Sequence, residues 1–179
     1  MNFIAWTIVA CEIGFWVVIL LGLITRYLFK REKLGFFLLA LTPVIDLILL
    51  IVTATNLYNG ATATQVHALA AIYLGVSVAF GKSMIRWADE RFVYYIQKQG
   101  QKPIRKTGLA HARHSLKGSL QHGLAYIIGA AFLMAMIYFI DNPTKTEALS
   151  GTLKVWAIVL GIDLVISISY FIWPRPKKA

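Results

Sequence analysis

The sequence predicts an all-α, polytopic membrane protein with five transmembrane helices, and three observations carry that prediction. The 179 residues are 58% hydrophobic and only 15% charged, with a mean hydropathy of +0.66, which lies outside the range of soluble globular domains. Apolar stretches of about 20 residues, the length that crosses a hydrocarbon core, recur five times, at about 3–25, 35–56, 64–86, 121–140 and 153–173. Sixteen of the eighteen Lys and Arg residues fall in three clusters, after the first stretch, between the third and fourth, and at the carboxyl terminus. An odd number of spans puts all three clusters on one side of the membrane. The positive-inside rule makes that side cytoplasmic and leaves the amino terminus outside.

The whole chain, 1–179, reads as a single membrane domain of the plasma membrane, with a cytoplasmic basic segment at about 87–120. A net charge of +10 would suggest nucleic acid in a soluble protein. Here the anionic lipid headgroups of the inner leaflet are the expected counter-charge, and no nucleic-acid partner is expected.

The first span, FIAWTIVACEIGFWVVILLGLIT, is apolar on every face except at Glu12. It lacks a basic amino-terminal region and a small-residue cleavage site, so it reads as a retained helix and not a signal peptide. Cys11 stands alone in the chain, so there is no disulfide framework. The short loop RYLFKREK makes the first two spans antiparallel neighbours.

In the second span Pro43 removes a backbone donor close to Asp46 and predicts a kink there. Thr42, Asp46, Thr53 and Asn56 form a narrow polar stripe that should face protein. The Asn-Gly pair in LYNGATATQ predicts a tight reversal. The third span presents His67, Ala71, Gly75 and Ala79 on one face, a ridge of small residues suited to close helix packing.

That helix is expected to continue past the membrane as KSMIRWADERFVYYIQK, with Arg86 pairing with Asp89 or Glu90, until Gly100 and Pro103 break it. Residues 107–121 read as a separate amphipathic helix on the inner leaflet. The fourth span is rich in Gly, Ala and Met and ends at Asp141, Asn142 and Pro143; the fifth carries Asp163, Ser167 and Tyr170 along one face.

Three acids are out of place in these spans. Glu12, Asp46 and Asp163 each fall about 12 to 15 Å below the outer end of the predicted helix by helical rise, and no Lys or Arg lies at that depth. An ionised Asp at a helix centre costs about 2.5 to 3.5 kcal/mol even on the most lenient scale. Two readings fit. The acids converge into a proton relay or a monovalent-cation site, where neighbouring carboxylates disfavour one another's ionisation and Thr42, Thr53, Ser167 and carbonyls freed at Pro43 supply further oxygens. Alternatively, each is a protonated pin bonded to a neighbouring helix.

His67 is the basic partner expected from a span, at the outer entrance. His67 and His122 occupy opposite ends of their helices and cannot ligate one haem; His111 and His114 lack the acidic or Cys partners of a zinc shell and read as a solvated face. No cofactor and no metal site is expected, and the absence of a phosphate loop, nucleophile elbow or HExxH motif leans against an enzyme. HALAAIYLG and VIDLILL are echoed by HGLAYIIGA and GIDLVIS in spans of opposite direction. An inverted repeat and chance similarity of apolar helices both account for this.

EIGFW in the first span, VIDLILL in the second and ATATQVHALAAIYLGVSVAFGKSMIRWADERF in the third resemble a family of small bacterial integral membrane proteins typified by the Bacillus protein YmcC. The resemblance is clearest over the first three spans. It implies that Asp46 and His67 belong to one signature block, and it transfers no substrate. The expected function is a small proton- or cation-linked transporter or permease component. The alternative is a non-catalytic accessory subunit that binds a membrane-protein partner, or a second copy of itself, through the Gly and Ala faces of the third span, with Ala71, Gly75 and Ala79, and of the fourth.

Overall fold

The computed structural model describes residues 3–98 and 106–174, with the side chains of residues 3–5, 8, 12 and 66 outside the description. Among the described residues six helices follow one another: α1 (Phe3–Tyr27), α2 (Glu32–Ala40), α3 (Thr42–Tyr58), α4 (Gln65–Tyr95), α5 (Gly108–Ile140) and α6 (Pro143–Ile172). Among the described residues no strand occurs, and α2 and α3 together make one of five apolar stretches long enough to cross a membrane. Two ends of the bundle can be told apart. The basic end carries the α1–α2 loop, the last turns of α4 and α6 and the start of α5; the turn end carries residues 58–64 and 140–143.

The second span breaks at Leu41 where a kink was expected. Pro43 has no N–H for the carbonyl of Leu39 four residues back. The Thr42 hydroxyl donates to that carbonyl instead, at 2.8 Å, so the break is closed locally.

The inner-leaflet surface helix expected at 107–121 does not exist as a separate element. It is continuous with the fourth span in α5, whose 33 residues extend about 50 Å by helical rise. α6 likewise begins ten residues before the expected start, at Pro143. Asn142 caps it by accepting the Lys145 N–H at 3.1 Å, and proline at its first turn needs no donor. Gly100, Pro103 and the basic tail Arg175, Lys177 and Lys178 lie outside the described residues.

α4 and α5 form the centre. α4 packs on α3 and α5, α6 principally on α5, and α1 on α2 and α3. The small-residue face of α4 is what brings α4 and α5 together. Ala71 and Gly75 are buried, and a Cβ built on Gly75 would strike the Ala125 carbonyl and the Gly129 backbone. On α5, a Cβ on Gly129 would lie 2.6 Å from the Trp156 ring and 2.9 Å from the Ala71 carbonyl. Three helices therefore converge at Gly129, and only glycine admits them.

α1 is latched to α4 at the basic end. Arg26 donates to both carboxylate oxygens of Asp89, at 2.7 and 2.5 Å, the Tyr27 hydroxyl donates at 2.8 Å, and the Tyr27 ring stacks on Phe92. Asp89 thus pairs across helices with Arg26 and not with Arg86 on its own helix, and its two carboxylate oxygens are both taken by one planar guanidinium.

Candidate functional site

Asp46 sits one turn into α3, just past the Pro43 break, and is 1% exposed. Its carboxylate accepts one hydrogen bond, from the Ser77 hydroxyl of α4 at 2.8 Å. Thr53, also on the stripe, is buried as well. The stripe faces protein as its pattern predicts. Thr42 does not serve Asp46: its hydroxyl is committed to the Leu39 carbonyl, the very group that Pro43 was expected to free.

His67 does not meet Asp46. It occupies the third position of α4, where its Nδ1 accepts the Thr64 N–H at 3.0 Å and lies 2.7 Å from the Thr64 hydroxyl, a reciprocal cap of the helix start. Because Nδ1 accepts, the proton of the neutral ring sits on Nε2. Ser77 follows ten residues later, so His67 and the Asp46 layer are separated by about 15 Å along the helix.

Asp163 has a different partner and a different depth from those expected. With α6 starting at Pro143, Asp163 lies about 30 Å from the turn end, against about 18 Å for Asp46 in α3. Its carboxylate accepts from His122 Nδ1 of α5 at 2.9 Å. Eighteen residues separate His122 from the end of α5, about 27 Å, which matches the level of Asp163. His122 also packs against the Phe80 ring of α4, centroids 4.8 Å apart.

The pair is partly open: 51% of the His122 side chain and 33% of the Asp163 side chain are exposed. Beside it, Ser119 lies 2.6 Å and Ser115 2.9 Å from the Ser167 hydroxyl, so Ser167 bonds serines and not an acid. Ser115 and Ser119 are one helical turn apart, and this ladder runs from the pair toward the basic end. Gln121 donates to the Ala79 carbonyl at 3.2 Å and approaches Ser83. His111 faces the Tyr170 ring at 4.7 Å and is not on a solvated face; His114 neighbours Lys106 Nζ at 3.2 Å.

The acids do not share one site. Asp46 belongs to the α3–α4 contact and Asp163 to the α5–α6 contact. Among the described residues no three of His, Cys, Asp and Glu gather within reach of one ion. The Glu12 side chain lies outside the described residues. The echoed segments do not hold matching contacts either: His122 bonds Asp163, whereas His67 bonds Thr64 and Asp46 bonds Ser77.

Sequence reasoning missed Ser77, and it used His122 only to argue against haem. Ser77 is the one hydroxyl between Tyr73 and Ser83 on an apolar helix, and a lone hydroxyl at the depth of an acid on the antiparallel neighbour is a usable signal. An apolar groove of about 430 Å³ between α3 and α5 offers only Thr55 and Tyr58 as polar groups, and the Thr55 hydroxyl is already bonded to the Ile51 carbonyl. The polar side chains His122, Asp163, Ser115, Ser119 and Ser167 meet instead between α5 and α6.

No protein-family model matches the chain, and no solved structure matches it. It is 60% identical over 179 residues, all of this chain and 97% of the relative, to the "Uncharacterized membrane protein YmcC" of Bacillus subtilis (strain 168). The likeness therefore runs the full length and is not confined to the first three spans. With five apolar helical stretches long enough to cross a bilayer among the described residues, this is a multi-pass membrane protein. At that identity and coverage, the chain belongs to the family of the uncharacterised membrane protein YmcC.

Proposed function

We propose that the protein is a small proton-linked transporter or permease component of the plasma membrane, with its amino terminus outside and its basic end cytoplasmic, beside anionic lipids. His122 and Asp163 exchange the proton, and Asp46 is a second, sealed acid. The observation that carries this reading is an imidazole N–H at the inner end of the fourth apolar stretch held 2.9 Å from the carboxylate of Asp163, inside the fifth, with a serine ladder beside it. An ionisable side chain within an apolar span, as Asp163 is, is costly and marks ion and proton pathways. A monovalent-cation site is less well supported, since such an ion needs several converging oxygens and among the described residues Asp46 has only Ser77 as a bonded neighbour.

The test is proton flux into reconstituted vesicles under an imposed potential, followed with an internal pH dye. Wild type should conduct, and Asp163→Asn, His122→Phe and Asp46→Asn should each lose at least about tenfold while still inserting. Equal flux in wild type, variants and empty vesicles would sink the proposal.

The accessory-subunit reading has to move to another surface, because the small faces of α4 and α5 cover each other. α6 offers one: Val155, Ile158, Ile162 and Val165 are exposed, and α5 is its principal neighbour. A partner or second copy that co-purifies, and is lost on replacing Ile158 and Ile162 by Ala, would favour that reading.

A further inference from the structure

We infer that a water-filled cleft between α4 and α6 leads from the basic end to His122. This deepens the proposed function, resting on it for the cargo, a proton carried by water, but not for the geometry.

One stripe of α5 carries the geometry. Gly118, His122 and Gly129 are spaced by four and seven residues, and at 100° per residue they share one face. That face is an interior one, since Ala125, Leu133 and Met136, within the same arc, are all buried. At Gly129 the face is fully occluded: a Cβ there would meet the Trp156 ring of α6 and the Ala71 carbonyl of α4. At Gly118, on the same face but eleven residues nearer the basic end, a Cβ would meet nothing within 4 Å. His122 lies between the two and its side chain is 51% exposed. A residue in the middle of a buried arc can be half exposed only if the neighbouring helices have moved apart. α4 and α6 therefore touch near Gly129 and diverge toward the basic end, with α5 as the floor of the opening.

The lining decides what fills it. An apolar wedge of this kind would admit lipid chains. This one presents His122 and Asp163, with the Phe80 ring of α4 against His122 and the part-buried Gln121–Ser83 contact of α5 and α4 next along the chain, and α4 continues past Ser83 with the exposed Arg86 and Glu90 at helical spacing. Convergent donors and acceptors hold water, whereas apolar walls do not.

Thiol accessibility tests the cleft directly. In a Cys11→Ser background, Gly118→Cys, His122→Cys and Ile127→Cys are compared for their rates of reaction with a charged, membrane-impermeant methanethiosulfonate. The reagent is applied to vesicles of each orientation, and Gln97→Cys marks the basic side. Ile127 is 65% exposed on the opposite side of α5 and should be shielded by lipid. The expected result is that Gly118→Cys and His122→Cys react from the basic side at least about tenfold faster than Ile127→Cys. Equal rates at all three positions, or entry from the turn end only, would overturn the inference. A permeant maleimide added after detergent extraction confirms that each thiol is present, and Gly118→Cys, with open space around its Cβ, guards against a folding defect. Labelling without proton flux keeps the cleft and removes the transport reading; flux without labelling removes the cleft and keeps the reading.

Discussion

Removing the Asp89 carboxylate should release the end of α1 from α4, and the size of the effect can be worked from the contacts. Asp89 accepts two bonds from the Arg26 guanidinium and one from the Tyr27 hydroxyl, with the Arg26 side chain 13% and the Asp89 side chain 32% exposed. Breaking a fully buried pair costs about 3 to 5 kcal/mol, and a solvent-exposed pair is worth about 0 to 1 kcal/mol. A bidentate pair with one partner nearly covered falls between them, so Asp89→Ala should cost about 2 kcal/mol. For a chain of this size that is a fall in Tm of about 4 to 8 °C. Thermal unfolding in mild detergent of wild type, Asp89→Ala, Arg26→Ala and the double variant closes a cycle. The coupling should be about 1 to 2 kcal/mol. A coupling below about 0.3 kcal/mol, the scatter of independent sites, would refute the latch and leave the Tyr27–Phe92 stack as the main contact there.

Other outcomes follow from the same contacts. Gly129→Ala should lower stability by about 1 to 3 kcal/mol through overpacking, and Trp156→Leu in the same chain should recover part of it; an unchanged Tm would contradict the three-helix convergence. Ser77→Ala should cost about 1 to 3 kcal/mol by leaving the buried Asp46 without its bonded partner, with Asp46→Leu recovering much of that loss when combined. Ser119→Ala and Ser167→Ala should be clearly non-additive in thermal unfolding, since they remove the two ends of one 2.6 Å contact. Lithium, sodium and potassium salts should leave the Tm of wild type and Asp46→Asn alike, whereas a specific rise in wild type alone would show an ion bound to the folded state and replace the proton reading with a cation one.

The membrane class, the five spans, the break near Pro43 and the inward face of Asp46 could all be read from the chain, because they depend on properties that run along it. Hydropathy sums over a window, proline acts on the carbonyl four residues back, and helical spacing sets which residues share a face. The small-residue ridge of Ala71 and Gly75 was legible for the same reason. Its use inside the chain was not, since Gly129, the residue it meets, lies 54 positions beyond Gly75.

Pairing and depth belonged to the tertiary structure. The expectation that Glu12, Asp46 and Asp163 lie at one level assumed that each helix is as long as its apolar window. α5 and α6 run beyond theirs: α6 starts early at the Asn142 cap, and the early turns of α5 continue because a neighbour covers them, as Ser167 and Tyr170 cover Ser115, Ser119 and His111. Two further quantities have no one-dimensional signature: the rotation of each helix about its axis relative to its neighbours, and the angle at which helices diverge. The first gave Asp46 to Ser77 and Asp163 to His122. The second exposed His122 in the middle of a buried face, because close approach at Gly129 makes a pivot from which α4 and α6 separate.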